Sequence, residues 1–460
     1  MTPRPAPFDL LLELYGDADM IEIFSPHRVI DTWKQVEAAL AQAQADLGIV
    51  DQERADAIAA VCADSGSVDP SELWESARNV GYPILGLVRQ LDAALPENLR
   101  GSLHLGATTQ DIMDSGLALQ LDSAMQLLES RLRTLGDALA VKVADEALTV
   151  MPGRTHGQQA VPTTLGAKLA VYLDEVKRHR TRILACRDDV RRVSLFGAGG
   201  TSAAYGEHAG KIRALTAERL GLVDSAVPWH VARDSLVHVS SVAVAAATSA
   251  ARLAREVADL ARTEIGELGE TVGHHRGASS TMPQKTNPIT SESIIGFAVA
   301  ARTAVAGLSR AAEAGHERSA GEWQVEWVLL PGLFVNVGSA LALANELVSD
   351  LAIYRERMHE NLHADGGLIM AESAMIKLAP HLGREVAHDV VYELARQSRQ
   401  GHEAFSTVLR RWLTTQPDLP AINVIADEHA VGQAVQCCET AVSEWRAALE
   451  AVPNPWKEQG

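Results

Sequence analysis

The chain has 460 residues, about three times the usual domain size, of which 47% are hydrophobic and 22% charged. That composition supports a large buried core and excludes a disordered chain. With 41 basic and 59 acidic residues the formal balance is -18, which opposes general binding to a phosphate backbone but leaves room for a local cationic pocket. Four cysteines, none in a CxxC pair, argue against a disulfide framework or a thiolate zinc site, and the vicinal Cys437 and Cys438 read as free thiols. The opening MTPRPAPFDLLLELYGD has no basic start and no long apolar stretch, and no wholly apolar run reaches about 18 residues. The expectations are therefore no secretory signal, no spanning helix and a cytoplasmic location.

In chain order the dominant signal is long helix. Trp33 to Leu47 places apolar side chains three and four apart between Ala, Gln and Glu. Leu117 to Val143 repeats the pattern with Gly136 as its internal glycine, and Thr164 to Ile183 follows. Val237 to Ile265 runs without an internal Gly or Pro, Glu292 to Ala314 is interrupted only by Gly296 and Gly307, and Phe334 to His359 continues with Gly338 as a weak point. Several of these exceed the ordinary helix length, so the spacing predicts an all-α bundle. The run VAVAAATSAA from Val242 is apolar or small all round, which calls for partners on most sides, including helices of other subunits. Breaks near Gly101 to Asp114 and Ala364 to Gly367, with a turn stretch at Thr415 to Pro420, divide the chain into three helical domains. These are an N-terminal domain at 1–112, a central long-helix bundle at 113–364 and a C-terminal cap at 365–460.

Three polar, Gly-rich clusters interrupt this background: Gly101-Ser-Leu-His-Leu-Gly-Ala-Thr-Thr-Gln-Asp111, Gly153-Arg-Thr-His-Gly-Gln-Gln159, and Gly273-His-His-Arg-Gly-Ala-Ser-Ser-Thr-Met-Pro-Gln-Lys-Thr-Asn-Pro288. Each lies between long helices or at a helix start, where free N–H groups and the helix dipole favour anions. Each also has an ordinary explanation: Thr109 or Asp111 as a cap, Ser279 and Ser280 as turn residues, His156 as a structural histidine. His274 and His275 are adjacent and lack a carboxylate at ligand spacing, so no metal is expected. No Walker loop or GxGxxG follows a strand, and Gly197-Ala-Gly-Gly200 reads as a tight turn, so no cofactor is expected.

Ser279-Ser-Thr-Met-Pro-Gln-Lys-Thr-Asn-Pro288 closely resembles the SSxMPxKxNP signature of the fumarase/aspartase superfamily, and the other clusters resemble its GATxQD and RTHxQ regions, in family order. The resemblance spans roughly residues 15 to 440. It implies a homotetramer with a central twenty-helix core, in which each active site takes one cluster from each of three subunits. It also implies a small dicarboxylate substrate and anti β-elimination, in which a base removes the proton beside a carboxylate and a group leaves the neighbouring carbon. By the same resemblance Ser279 is the general base, with Lys285 as its electrostatic partner. Lys285 and Asn287 hold one carboxylate, while Thr108, Thr109 and Thr155 offer hydroxyls to the other. His156 serves the leaving group, with Gln110 and Asp111 nearby, and His104 contacts substrate. Ala278 stands where the family usually has glycine, which restricts the loop backbone more than it alters the chemistry.

Two features bear on the branch. Adenylosuccinate lyases and carboxymuconate cycloisomerases usually read MPHKRNP, whereas here Gln284 and Thr286 replace the His and the Arg, removing a fork for an additional anionic group. Gly321-Glu-Trp-Gln-Val-Glu-Trp327 and Gly367-Leu-Ile-Met-Ala-Glu372, by contrast, resemble the carboxymuconate cycloisomerase branch, with Trp327 where adenylosuccinate lyases carry arginine. Trp323 and Trp327 share a helix face, which suits core packing. The reading that reconciles both is a diverged member of that branch acting on a four-carbon dicarboxylate, with nitrosuccinate giving fumarate and nitrite. True 3-carboxy-cis,cis-muconate cycloisomerase and adenylosuccinate lyase are the alternatives.

Overall fold

A run of capped helices opens the fold. Asp9 accepts from the amides of Leu11 and Leu12, and Ser25 with Pro26 at the first helical position starts the Pro26–Asp46 helix. Asp69 caps Pro70–Val80, which ends on the left-handed Gly81. The computed structural model describes residues 9–271, 273, 276–419, 431–451 and 456; His274, His275 and Pro420 lie outside them. Among the described residues there are eighteen α-helices and four short strands, so the chain is all-α. Five helices of 21 to 37 residues dominate after residue 100: Thr109–Asp145, Leu165–Ala185, Asp234–Leu260, Ile289–Ala311 and Glu322–Ser349.

The structure corrects the expected Phe334–His359 helix. Its first half belongs to Glu322–Ser349, which starts twelve residues earlier and tolerates Pro331 inside. Leu351–Ile353 then forms strand β4, antiparallel to β3 (Leu268–Glu270), before Arg355–His363 resumes as helix. The backbone groups of a three-residue apolar run are satisfied by that distant strand, which local periodicity cannot register. Strands β1 (Val150–Thr155) and β2 (Gln158–Thr164) form a hairpin where the sequence suggested only a loop or helix start.

Two compact units contain these elements. The first comprises the described residues of Met1–Leu132, His179–Ala250 and Ser293–Leu343. Its core is built on Trp33, Val36, Ile58, Leu73, Leu87 and Ile112, with a second cluster around Leu40, Leu195 and Ile212. Buried charges there are paired: Arg180 Nε donates to Glu129 Oε1 at 2.7 Å, and Arg131 spans Asp17 and Asp19. The second comprises the described residues of Arg133–Arg178, Ala251–Glu292 and Ala344–Gly460. It packs Ala374, Leu378, Val391, Leu394, Phe405 and Leu409 into a C-terminal core. Trp445 seats its ring against Gly136 and donates its Nε1 hydrogen to Asp137 Oδ1 at 2.9 Å.

Among the described residues three helices are long and apolar enough, by length and composition, to cross a membrane, which corrects the expectation that no segment qualifies. The sequence criterion demanded unbroken apolar residues, whereas small polar residues and at most two charged ones interrupt each 18-residue window without lowering its mean hydropathy below what a spanning helix needs. The qualifying windows of Asp234–Leu260 and Glu322–Ser349 are 56% and 61% buried inside the protein, but that of Ile289–Ala311 only 33%.

Candidate active site

The first cluster feeds into the start of Thr109–Asp145 within the first unit, and a single buried carboxylate shapes it. Asp111 Oδ2 accepts from the amides of Thr108 (3.1 Å) and Gly197 (2.9 Å). Its Oδ1 accepts from the Phe196 amide (3.0 Å) and meets His230 Nε2 at 2.9 Å. Asp111 thus ties the Gly197 turn to the helix start. Gln110 is buried too: its amide nitrogen donates to Asp114 Oδ2 and to the His230 carbonyl, so it is used inside the unit. Thr108 and Thr109 stay half-buried beside it.

His104 is held in the left-handed region at φ 62°, a conformation uncommon outside glycine and therefore informative. Its Nδ1 lies 2.6 Å from Oε1 of Glu37, a fully buried glutamate on Pro26–Asp46. Burial works against charging the His104 ring, but the Glu37 charge, its hydrogen bond and Asp111 outweigh it and hold the imidazole above its ordinary pKa. The site therefore holds a ring whose protonated form Glu37 favours, beside Thr108 and Thr109. Sequence reasoning missed Glu37, whose only signal is its place among core positions of an amphipathic helix.

A second buried cluster lies one turn further along the helix. Arg233, 3% exposed, donates through Nη1 and Nη2 to Asp114 at 2.9 and 3.1 Å, and through Nε and Nη2 to Glu326 at 2.9 and 2.5 Å. Burial raises the Glu326 pKa against the pull of Arg233. The cluster pins Glu322–Ser349 by the turn that bears Trp323 and Trp327, whose rings sit 4.9 Å apart. Trp323 is core, stacked on Tyr82 at 5.8 Å, as the sequence suggested; Trp327 is 37% exposed.

The second cluster, in the second unit, is the β1–β2 hairpin. Thr155 pairs with Gln158, leaving His156-Gly157 as a two-residue turn with φ of 53° and 74°, the positive pair of a type I′ turn. A histidine spends conformational energy there, and its ring stands exposed at the tip beside exposed Thr155. Arg154, by contrast, is structural. Its guanidinium grips buried Glu267 at 2.8 and 2.6 Å, and Asn361 donates to the same carboxylate.

The third cluster folds into a pinched loop. Ala278 and Thr286 form a bridge, the Asn287 amide donates to the Gly277 carbonyl at 2.8 Å, and the Ser279 amide to the Lys285 carbonyl at 3.3 Å. Ser279 and Lys285 thus face each other across the neck, with Asn287 at its base. Ala278 adopts a strand-like conformation suited to any residue, so the missing family glycine costs little. Ser279 Oγ accepts from the amides of Thr281 (3.3 Å) and Met282 (3.1 Å), two donors that favour its deprotonated form. Below the neck, Glu270 caps the following helix by accepting from the amides of Thr290 and Ser291, and Arg276 donates to Thr290 Oγ1.

His104, Thr108, Thr109 and Gln110 therefore belong to one unit, and Thr155, His156, Ser279, Lys285 and Asn287 to the other. Among the described residues no hydrogen bond or ion pair joins the His156 hairpin to the Ser279 loop.

An all-helical chain with a serine hydroxyl accepting from two amides at a pinched loop is similar, in sequence and fold, to known lyases and cycloisomerases. The lyase family profile matches residues 17–302, and the adenylosuccinate lyase C-terminus profile matches 367–435. The chain is 38% identical to 3-carboxy-cis,cis-muconate cycloisomerase of Pseudomonas aeruginosa over 95% of its length and 96% of the relative's. It is 31% identical to N-acetyl-S-(2-succino)cysteine lyase of Dickeya dadantii, covering 87% of this chain and 88% of that protein. The crystal structure of 3-carboxy-cis,cis-muconate lactonizing enzyme from Pseudomonas putida superposes with a TM-score of 0.90 at 34% identity, over 96% of this chain and all of that one. The protein belongs to the lyase family of the fumarase/aspartase superfamily, and it is an enzyme of the lyase and cycloisomerase class.

Proposed function

We propose that the protein catalyses anti β-elimination from a C2-substituted succinate and releases fumarate. The observation that carries this reading is Ser279: its Oγ takes two backbone N–H groups and its backbone pairs with that of Lys285. A serine hydroxyl is a poor base until its alkoxide is stabilised, and two amides with a neighbouring ammonium supply that stabilisation. The alkoxide takes the proton beside one carboxylate, and the electron pair moves onto that carboxylate as an extra charge. Lys285 and Asn287 meet this charge, and one well-placed donor of that kind is worth about 3 kcal/mol of barrier. The other carboxylate lies against Thr108, Thr109, Thr155 and the His104 ring, and His156 serves the departing group.

The three clusters reach one substrate through symmetry: a homotetramer in which each site takes one cluster from each of three subunits. The two-thirds of the Ile289–Ala311 apolar window left unburied in the protomer supports such an assembly. The enzyme works in the cytoplasm as three helical domains, at 1–112, 113–364 and 365–460. Within the class, nitrosuccinate is the substrate favoured by Thr286, which stands where relatives usually carry an arginine able to hold an additional anion. The Dickeya relative, named for a succinylated thiol, supports a C2-substituted succinate more broadly. The second reading is carboxymuconate cycloisomerisation, favoured by the Pseudomonas relatives.

The test is a side-by-side assay of C2-substituted succinates and carboxymuconate, following fumarate absorbance and lactone formation. Fumarate release that falls ~10³-fold in Ser279→Ala supports the proposal. Lactone from carboxymuconate with no fumarate from any succinate overturns it in favour of the second reading.

A further inference from the structure

The first unit holds a cavity of about 570 Å³ that none of the assigned roles uses. Four tryptophans wall it: Trp33, Trp74, Trp323 and Trp327. Met113 and Asp114 close one side, and they lie one turn beyond Thr109 and Gln110 on the same helix. Thr109 and Met113 are four apart, so they share a helix face and lead from the polar cluster into the cavity. The carboxylates at its wall offer a ligand little: each oxygen of Asp114 and Glu326 accepts from Arg233 or Gln110. What remains is mainly apolar, the Trp faces together with aliphatic side chains such as Leu117 and Leu330, with exposed Arg78 also lining it. A volume of this order is typical of pockets that enclose an organic ligand.

We propose that this cavity receives the C2 substituent of the substrate and that the substituent is a sulfur-linked leaving group carrying a flat, apolar, uncharged ring. The inference rests on the elimination reading above and sets a ring-bearing thiolate in place of nitrite as its leaving group. With one carboxylate at Thr108 and Thr109, the substituent extends along the helix over Met113 onto the Trp faces. The step is balanced and redox-neutral. The C3 proton passes to the Ser279 oxygen, its electron pair becomes the C2–C3 double bond, and the C2–substituent bond breaks. For a thioether the sulfur leaves with that bond's electrons and takes a proton. A nitro group would leave most of the cavity to water, whereas a ring removes Trp surface from water.

The experiment compares 2-(benzylthio)succinate with 2-(methylthio)succinate and nitrosuccinate on the full-length enzyme, reading fumarate. The benzylthio compound is expected to exceed the methylthio compound in kcat/KM on the order of 30-fold, from the apolar area that the ring buries. Ala77→Phe, which fills the cavity, and Trp327→Ala, on its exposed margin, each bring that ratio down to within about threefold of unity. Equal kcat/KM for the two thioethers, faster turnover of nitrosuccinate, or a ratio unmoved by both variants overturns the inference while leaving elimination intact. If no succinate yields fumarate, tryptophan fluorescence of Ser279→Ala separates the two claims. Saturable quenching by the benzylthio compound alone keeps the cavity assignment and rejects the elimination; no quenching rejects the cavity assignment.

Discussion

Gly277 is the residue on which the Ser279 loop closes, and its replacement by alanine gives a quantitative test of the role proposed for that loop. Its φ of +67° costs an L-residue roughly 1–2 kcal/mol. A Cβ there would lie 2.5 Å from the Asn287 carbonyl oxygen and 3.2 Å from its nitrogen. Both are backbone atoms, so relief means opening the neck and losing the Asn287-to-Gly277 hydrogen bond, worth about 1 kcal/mol more. The sum of roughly 2–3 kcal/mol lowers the closed-neck population, and with it kcat/KM, by about 30- to 150-fold. Gly273→Ala is the control, since the nearest atom to its Cβ is the Arg276 side chain at 3.5 Å. Because most of the loop is exposed, Gly277→Ala should shift Tm by no more than about 2 °C. Steady-state kinetics and a thermal melt decide the matter. A kcat/KM within threefold of wild type would refute the reasoning, and so would a large fall in Tm, because the defect would then be in folding.

Arg233→Met leaves Asp114 and Glu326 buried without a cation, and urea unfolding at neutral pH should show a loss of about 3–5 kcal/mol. That deficit should shrink as the pH falls and the two carboxyls protonate. Glu37→Gln should lower the His104 pKa. Because the folded-state pKa is raised, the stability it lends is full below the unfolded value of about 6.5 and vanishes as pH rises through the folded value. Wild type and Glu37→Gln should therefore differ most in urea midpoint in acid and converge above that range, with the alkaline limb of kcat/KM moving to lower pH in the variant. Gly136→Ala gains about 1 kcal/mol of helix propensity but drives a Cβ to within 2.2 Å of the Trp445 ring. That ring is 1% exposed and tied to Asp137, so overpacking of about 1–3 kcal/mol wins and the urea midpoint should fall.

The long helices were legible because Val242–Ala251 and its neighbours repeat small and apolar residues with no helix breaker, a pattern that few folds other than an all-α bundle accommodate. The third cluster was legible as well, because Ser279, Lys285 and Asn287 lie within nine residues of one another in a recognisable order. Illegible were the contacts that cross the chain. Glu37 lies 67 residues from His104, and Glu267 lies 113 from Arg154. A buried carboxylate on a helix has no local mark that distinguishes it from one facing water. The β1–β2 hairpin escaped for a related reason, since Arg154 and Thr155 pair with Gln159 and Gln158 through their backbones and leave no alternation of apolar side chains.

By itself the sequence determined the helical class, the three polar clusters and the family, because these depend on residue types at short spacing. Only the tertiary structure decided that Gly136 makes room for Trp445, that Asp111 builds the turn at Gly197, and that His104 is held by a buried glutamate. It also decided that four tryptophans from three different helices enclose one cavity. Such arrangements follow from which distant surfaces exclude water together, and that is a property of the packed chain rather than of any segment within it.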